Sequence, residues 1–138
     1  MIESSAKIKV RFSETDAMGV VYHANYLKWF EVARLELVGS LGLSYKELSQ
    51  AKIHLPVIEA KLKYAQPAVF DDELKVFARI ATRPSVKIII NYEVKRGDTT
   101  LCTGETVHVF VNEKNLPMKP PAHFFNIMKE AFDKNSNV

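Results

Sequence analysis

One short stretch organises this chain, and it reads TDAMGVVYHANY at residues 15–26. It leaves a strand-like segment, turns at Gly19, and enters the strongest helical pattern in the sequence. Backbone N–H groups at a helix start lack intrahelical partners, and the helix dipole favours negative charge there. The stretch therefore predicts a site for a carbonyl oxygen that becomes an oxyanion, with Asp16 close enough to attack the carbonyl or to activate water.

The composition indicates one globular domain spanning residues 1–138. Apolar residues make up 47% of the chain, which is ample for a core, and the net charge of +3 is too small and too dispersed for nucleic-acid binding. No run approaches the roughly 18 apolar residues of a membrane span, and no signal peptide is visible. We therefore expect a cytoplasmic protein without stable membrane insertion.

The spacing of apolar residues predicts an α+β fold. The order is one strand, a long helix, a short second helix with a capping-box start at Ser44, four consecutive antiparallel strands and a closing helix. The long helix can bury its apolar stripe only against the face of that sheet. The first strand is expected around Ile8, Val10 and Phe12. The other expected spans are about 25–41 for the long helix, 58–64, 74–80, 86–94 and 101–111 for the strands, and 122–134 for the closing helix, with a frayed tail after it.

The long helix carries a second apolar patch, formed by Leu27, Leu35 and Val38 around Glu31. A helix that is apolar on more than one side is often covered twice, here by the sheet and by another subunit. Glu31 and Arg34 have the spacing of an ion pair within a helix. Because its neighbours are apolar, Glu31 has a second interpretation, in which it reaches the site across a dimer.

The residues of the organising stretch each have an ordinary and a functional interpretation. Asp16 is a turn or capping aspartate in the first, and an ionised nucleophile or general base in the second. Gly19 permits the backbone turn in both. His23 acts through its side chain or its backbone N–H, or is only a polar residue near the helix start. Asn25 is expected to cap the helix, and Tyr22 to lie in the core or an interface.

Other chemistries leave no pattern in the sequence. His54, His108 and His123 lie far apart without metal-ligand spacing, so no metal site is expected. Cys102 is the single cysteine and is expected to be a buried, inert thiol. The sequence contains no glycine-rich phosphate loop and no nucleophile elbow.

Residues 15–26, followed by FEVAR at residues 30–34, closely resemble the signature of acyl-CoA thioesterases of the 4-hydroxybenzoyl-CoA thioesterase class. The most similar group is the small bacterial thioesterases associated with the Tol-Pal system. The resemblance continues through Pro67-Ala68, the four-strand run and LPMKP at residues 116–120, so it covers nearly the whole chain. The motif is specific, because its acid, glycine, Tyr-His and Asn-Tyr positions all agree at once.

The resemblance implies the hot-dog fold, in which a five-stranded antiparallel sheet wraps around a long helix, with a C-terminal helix added. It implies a homodimer formed through sheet edges, a pairing of dimers into a homotetramer, and sites at the dimer interface. It also implies that Asp16 is the catalytic carboxylate and that the backbone N–H near His23 polarises the thioester carbonyl. Both implied roles agree with the interpretation of the residues themselves.

The expected reaction is hydrolysis of an acyl-CoA thioester to a carboxylic acid and CoA. Asp16 either forms a mixed anhydride or deprotonates the attacking water, and both routes stay open. No metal or cofactor is expected, because a thiolate leaves readily and CoA is part of the substrate. The pantetheine arm is expected between subunits. Expected substrate contacts are Gly19, Val20, Tyr22 and Asn25, and the candidates for binding the CoA phosphates are Lys61, Lys63, Arg83 and Lys87.

Two other functions remain open at this point. The first is a module that binds acyl-CoA or acyl-carrier-protein thioesters without cleaving them. The second is a hot-dog dehydratase or hydratase, for which the sequence contains no matching Asp/His placement. The acyl group, whether aryl, short-chain or long-chain, is not determined, because the shape of the pocket depends on side chains from two subunits.

Overall fold

The fold is a five-stranded antiparallel sheet with a long helix against one face, as the sequence predicts. A computed structural model describes residues 1–136. The helices and strands are β1 Ile2–Lys9, α1 Asn25–Ser40, α2 Tyr45–Gln50, β2 Val57–Tyr64, β3 Glu73–Ile80, β4 Lys87–Arg96, β5 Thr99–Val109 and α3 Ala122–Ser136. The order of strands in the sheet is β1-β3-β4-β5-β2, so β1 and β2 form its two edges.

The first strand differs from the prediction. It begins at Ile2 and ends at Lys9, and Phe12 lies in a 3₁₀ turn, Phe12–Glu14, with 74% of its surface exposed. The carboxylate of Glu14 accepts the Arg11 N–H at 2.8 Å and the Glu14 N–H donates to the Arg11 carbonyl, which closes the turn and ends the strand. The alternation of apolar and charged residues does not show where the strand ends, because the end depends on the carboxylate of Glu14, three residues after Arg11.

The helices agree closely with the prediction. The Ser44 hydroxyl accepts the N–H groups of Lys46 and Glu47, which confirms the capped start of α2. The closing helix α3 continues to Ser136, two residues further than expected, and the rest of the expected frayed tail lies outside the described residues. Within residues 1–136, no helix combines the length and apolar character needed to cross a bilayer.

The predicted stripe of α1 is buried against the sheet. Phe30 stacks on Tyr92 of β4 with ring centres 4.2 Å apart and planes 6° from parallel. Gly104 of β5 lies beneath the same ring, where a Cβ atom would sit 2.4 Å from it, so only glycine fits. The buried residues of this stripe are Tyr26, Trp29, Phe30, Ala33 and Leu37.

The second apolar patch of α1 differs from the prediction in one residue. Leu27 and Leu35 are exposed, and Val32 is exposed beside them. Val38, which the spacing assigned to this patch, is buried in the core. The predicted ion pair within the helix is also wrong, because Arg34 donates to the Tyr92 hydroxyl at 3.0 Å instead.

A directed chain of hydrogen bonds runs from Arg34 across the sheet to Leu55, just before β2. The Leu55 carbonyl can only accept, so His108 must donate to it from Nδ1, at 3.2 Å. The neutral ring then accepts from Thr106 through Nε2 at 2.8 Å. Thr106 in turn accepts from Tyr92 at 2.7 Å, and Tyr92 accepts from Arg34. The donor and the acceptor of every bond in this chain are therefore determined, and the bonds together hold α1 to the sheet in a single register.

Burial lowers the pKa of the His108 imidazole to about 4. The hydrogen bond to Leu55 acts in the opposite direction, and the positive charge of Arg34 lowers the pKa further. The imidazole is therefore neutral in the folded protein at any pH above about 5. This neutral form is the one that accepts from Thr106.

A buried carboxylate joins the organising stretch to α1. Glu14 accepts the Trp29 indole N–H at 2.9 Å through one oxygen and the Arg11 N–H through the other. Its carbonyl accepts the Tyr22 N–H and the Asn25 side-chain amide, both at 2.9 Å. Four donors thus converge on Glu14, which we call the Glu14 clamp. The clamp fixes where the loop ends and where the helix begins.

The depressed pKa of His108 predicts a specific loss of stability in acid. Histidine in the unfolded chain binds a proton below about pH 6.5, whereas folded His108 resists protonation until about pH 4. The free energy of unfolding should therefore fall by about 1–3 kcal/mol as pH drops from about 6.5 to about 4. Urea unfolding at several pH values measures this. His108→Asn should remove that part of the slope, and the exposed control His123→Asn should keep it; an unchanged slope in His108→Asn would contradict the assignment.

The Glu14 clamp predicts that an isosteric amide is destabilising. In Glu14→Gln, the side chain keeps one acceptor oxygen for two buried donors, so one donor faces an N–H group. We expect a loss of about 1–3 kcal/mol in the free energy of unfolding, measured by urea titration. The same substitution in a Trp29→Phe background should cost less, because the indole donor is gone. Equal costs in both backgrounds would show that the carboxylate–indole contact contributes nothing.

Candidate active site

The organising stretch forms a tight hairpin loop. The Asp16 N–H donates to the Val20 carbonyl at 2.8 Å, and the Gly19 N–H donates to the Asp16 carbonyl at 3.0 Å. Gly19 has φ of +77°, which this three-residue loop requires at its last position, so its predicted role in the turn is confirmed. Val20 pairs with Val69, which ties the loop to the segment before β3.

The Asp16 carboxylate lies on the exposed side of this loop. One of its oxygens accepts the Met18 N–H at 2.9 Å, as an aspartate in a turn commonly does. This contact orients the carboxylate, and it leaves the other oxygen available to a substrate or water. The turn and functional interpretations of Asp16 are therefore compatible, because the turn is what presents the carboxylate.

The start of α1 presents free N–H donors. Within residues 1–136, the N–H groups of His23 and Ala24 donate to no other part of the chain. The carbonyls of the same two peptide groups are both engaged: the Tyr22 carbonyl accepts from the Asn25 N–H at 3.0 Å, and the His23 carbonyl accepts from the Tyr64 hydroxyl at 2.9 Å. A peptide whose carbonyl is hydrogen-bonded is a stronger donor at its N–H. Two polarised donors thus stand at the helix start.

The predicted cap of this helix is wrong. Ala24 occupies the N-cap position, without a side-chain cap, and Asn25 is the first helical residue. The Asn25 amide is buried and donates to the Glu14 carbonyl, so it holds the loop instead of capping the helix. Its predicted contact with substrate stays a prediction. The missing cap leaves the first N–H groups unblocked, which is what an anion or oxyanion at this position requires.

A pocket of about 310 Å³ opens between the loop, the helix start and the end of β2. Three of the predicted site residues, Asp16, Val20 and His23, line it together. Tyr22 does not line it; its exposed ring lies against the His23 ring, with centres 4.4 Å apart. Gly19 shapes the loop without lining the pocket. The other lining residues are Met18, Val21, Tyr26, Tyr64, Ala65, Gln66 and Pro67.

The far wall of the pocket comes from residues that the sequence analysis did not single out. Tyr64 ends the edge strand β2, and its ring packs edge-on against Tyr26 at 5.3 Å between centres. Its hydroxyl holds the His23 carbonyl, 41 residues away along the chain. The only sequence signal is its place at a strand end, just before Ala65-Gln66-Pro67. Periodicity assigned Tyr64 to a strand face and gave no reason to place it beside His23.

The four basic candidates for phosphate binding are not brought together. Lys61 and Lys63 lie on β2 and line a separate pocket of about 260 Å³. Lys87 begins β4, at the opposite end of the sheet from Arg96 and the pocket. Arg83 forms a two-pronged ion pair with Asp133 of α3, with both distances 3.0 Å. Their role at the CoA phosphates stays a prediction, and the pair with Asp133 competes with it at Arg83.

The described residues do not assemble a metal-binding group. Within residues 1–136, no three His, Cys, Asp or Glu side chains converge in a way that could hold a metal ion. The Cys102 thiol is buried, and burial raises its pKa to about 11, so at neutral pH it is a poor nucleophile. The pocket combines the Asp16 carboxylate and His23 with the polar residues Tyr64 and Gln66 and an otherwise largely apolar lining.

The chain matches known proteins along most of its length. A family model described as the thioesterase-like superfamily matches residues 10–131. The acyl-CoA thioesterase YbgC of Haemophilus influenzae is 32% identical over 129 residues, covering 93% of each chain. The acyl-CoA thioester hydrolase YbgC of Escherichia coli O6:H1 is 30% identical over 115 residues, covering 83% of this chain and 85% of that one.

Solved structures agree with these sequence matches. A DHNA-CoA thioesterase from Staphylococcus aureus superposes with a TM-score of 0.89 and 31% identity, covering 99% of this chain and 93% of that one. The sheet order, the buried long helix and the added C-terminal helix are therefore those of the hot-dog fold. The chain belongs to the thioesterase-like superfamily and is a thioester hydrolase with the hot-dog fold.

Proposed function

We propose that this protein hydrolyses acyl-CoA thioesters to a carboxylic acid and CoA. One observation carries the proposal: Asp16 and His23 line the same pocket, and the His23 backbone N–H donates to no other group within residues 1–136. The relatives described above, which are acyl-CoA thioesterases and a DHNA-CoA thioesterase, support the same substrate class.

The helix start supplies the electrostatic part of the proposed mechanism. The thioester carbonyl oxygen accepts from the N–H groups near His23, which polarises the carbonyl and stabilises the oxyanion that forms. Loss of one such donor costs about 3–4 kcal/mol of transition-state stabilisation in a protease. The engaged carbonyls of Tyr22 and His23 support this role, because they fix both peptide planes before substrate arrives.

Asp16 supplies the oxygen chemistry by one of two routes. In the first, its carboxylate attacks the carbonyl carbon, the C–S bond breaks, the thiolate leaves, and water hydrolyses the mixed anhydride. In the second, Asp16 removes a proton from water as the water attacks, and the thiolate leaves from the tetrahedral intermediate. Oxygen-18 found in Asp16 after turnover in labelled water would identify the first route.

Neither route requires a cofactor in this proposal. A thiolate is a good leaving group, since thiols have pKa values near 8.5, so the thioester needs no metal to activate it. Independence from metals and the cytoplasmic location both stay predictions. The proposal also includes two sets of predicted contacts. The predicted substrate contacts are Gly19, Val20, Tyr22 and Asn25, and the predicted phosphate contacts are Lys61, Lys63, Arg83 and Lys87.

A second copy of the chain completes the site in this proposal. β2 is an edge strand whose residues are exposed on both faces, with Val57 and Ile58 at 43% and 47%. An exposed edge strand presents unpaired backbone N–H and C=O groups to another strand, and Tyr64 at the end of β2 lines the pocket. The exposed patch of Leu27, Val32 and Leu35 on α1 gives a further surface to cover. A homodimer, and then a dimer of dimers, is the assembly we propose.

Sedimentation velocity tests this assembly. The wild-type protein should sediment with at least twice the chain mass of 15.7 kDa. Ile58→Lys should yield monomer, because it places a charge in the proposed contact, and its hydrolytic rate should fall with it. The matched control Glu130→Lys places the same charge at an exposed position of α3, which contacts β1 at the opposite edge of the sheet, and should keep both. A monomeric wild-type protein with full activity would overturn the shared site.

Asp16→Asn tests the catalytic assignment. The asparagine can still accept the Met18 N–H through its side-chain oxygen, so the loop should keep its conformation. Loss of an essential base or nucleophile should lower the rate at least about a hundredfold. The measurement is release of free thiol from a panel of acyl-CoAs, with circular dichroism to confirm folding. Asp98→Asn, at the tip of the β4–β5 hairpin, is the matched control and should retain full rate.

The same assay separates the alternatives. Tight binding of acyl-CoA without thiol release would favour a thioester-binding module. A change in the acyl chain without thiol release would favour a dehydratase or hydratase. Unchanged turnover in Asp16→Asn would remove Asp16 from the mechanism and leave only the family assignment. The panel should include aryl, short-chain and long-chain substrates, since the single chain does not determine the acyl pocket.

A further inference from the structure

A second, larger pocket lies on the outer face of the sheet, away from α1. Its volume is about 510 Å³, within the range of small-molecule sites. Side chains and turns from β1, β3 and β4 form its walls. Among the described residues that line it, Lys7, Lys9, Lys75 and Lys95 carry positive charge and Glu73 alone carries negative charge.

Three of these lysines are aligned across three adjacent strands. Lys7 of β1 pairs directly with Lys75 of β3, and Lys75 pairs directly with Lys95 of β4. Directly paired residues point to the same face of a sheet, with Cβ atoms about 5 Å apart. Their neighbours Leu74, Val76 and Val94 are buried, so the lysines point outward. We call this alignment the lysine row.

The charges of the lysine row are not compensated as the adjacent charges are. Arg79, on the same face of β3, forms ion pairs with Glu3 and Glu93. Within residues 1–136, no carboxylate oxygen lies within 4 Å of the ammonium groups of the row, whereas Lys9 pairs with Asp71 at 3.3 Å. Glu93, the carboxylate two residues from Lys95, is already hydrogen-bonded by Thr100 and Arg79, and Lys95 acts on it only at longer range, where its positive charge helps to lower the Glu93 pKa.

Protection of a sheet edge does not explain the row. Lysine on an edge strand discourages pairing with another sheet, and this accounts for Lys7 on β1. Lys75 and Lys95 lie on β3 and β4, which are interior strands. Like charges that face each other across strands are destabilising. Two interior lysines therefore cost stability without an edge to protect.

We propose that the lysine row is a binding site for an oligophosphate group. Three ammonium groups in a line match successive phosphates of a chain, and lysine binds phosphate well as a point charge. The Lys75 ammonium lies 5.2 Å from the Phe77 ring centre, a contact that steadies its position without neutralising its charge. The ligand class is an oligophosphate or a nucleotide diphosphate.

The oligophosphate group bound by the lysine row can come from two sources. Arg96, next to Lys95, donates to the Pro67 carbonyl at 3.4 Å, and Pro67 lines the Asp16 pocket. The nucleotide end of an acyl-CoA is therefore one source, and this source rests on the proposed function. A free nucleotide or oligophosphate is the other source. The two share the same recognition chemistry, and kinetics with truncated substrates distinguishes them.

The binding test uses inorganic tripolyphosphate and the full-length protein. Isothermal titration calorimetry should detect binding to the wild type, weakening as salt is raised. The variant Lys7→Gln/Lys75→Gln/Lys95→Gln should bind at least tenfold more weakly, and Lys114→Gln should bind as the wild type does. Thermal unfolding should show that the triple variant is at least as stable as the wild type, because mutual repulsion has been removed.

The source test compares KM values for acyl-CoA and for the matching acyl-N-acetylcysteamine thioester, which has no nucleotide. If the triple variant raises KM at least fivefold for acyl-CoA only, the row holds the nucleotide end of the substrate. If tripolyphosphate binding is lost while both KM values stay unchanged, the row serves a free oligophosphate. The binding measurement is independent of turnover, so it is informative even if the proposed hydrolysis fails.

The proposal is overturned by the calorimetry. If the wild type does not bind tripolyphosphate, or if the triple variant binds it equally well, the row is not a phosphate site. A triple variant that is less stable than the wild type would also contradict the proposal. That result would show that the three lysines stabilise the fold and do not repel one another in the absence of an anion.

Discussion

The buried carboxylate of Glu14 is the contact on which the site depends. It holds Arg11 and Trp29 with its two oxygens, and its carbonyl holds Tyr22 and Asn25. These four partners come from the end of the first strand, the loop and the first turn of α1. Because one residue fixes all three, the loop that carries Asp16 cannot move independently of the helix start. A reaction that needs a carboxylate and backbone donors at a set separation requires this coupling.

The helix start is unusual because it lacks a cap and its carbonyls are occupied. A side-chain cap would have stabilised α1 and would also have blocked the donors that an oxyanion needs. The protein uses Ala24 at that position and holds the adjacent peptides from behind, through Asn25 and Tyr64. The helix α1 is stabilised instead by burial of its apolar stripe, in which Phe30 stacks on Tyr92, and by the hydrogen-bond chain that begins at Arg34. The cost at the site is thus offset elsewhere on the same helix.

The two faces of the sheet differ in their contacts and charges. The inner face packs against α1 and carries the buried chain that ends at His108 and Leu55. The outer face is polar and contains both compensated charges, around Arg79, and the uncompensated lysine row. The exposed edge at β2 adjoins the Asp16 pocket. Tyr64 belongs to both the exposed edge and the pocket wall, so this strand connects the proposed assembly surface to the proposed site.

The sequence by itself determined the layers of helix and sheet and the place of the turn at Gly19. It also grouped Asp16, Val20 and His23, which line one pocket. These features depend on local periodicity and on a compact motif. The sequence misplaced the end of the first strand, the cap of α1 and the partner of Arg34. Each of those errors has the same cause, since a hydrogen bond of a side chain, which the spacing of apolar residues does not show, made the deciding contact. Only the tertiary structure decided that Glu14 is buried, that Tyr64 reaches His23 across 41 residues, and that three lysines align. Strand register and chain crossings set these contacts, and neither is encoded in the spacing of neighbouring residues.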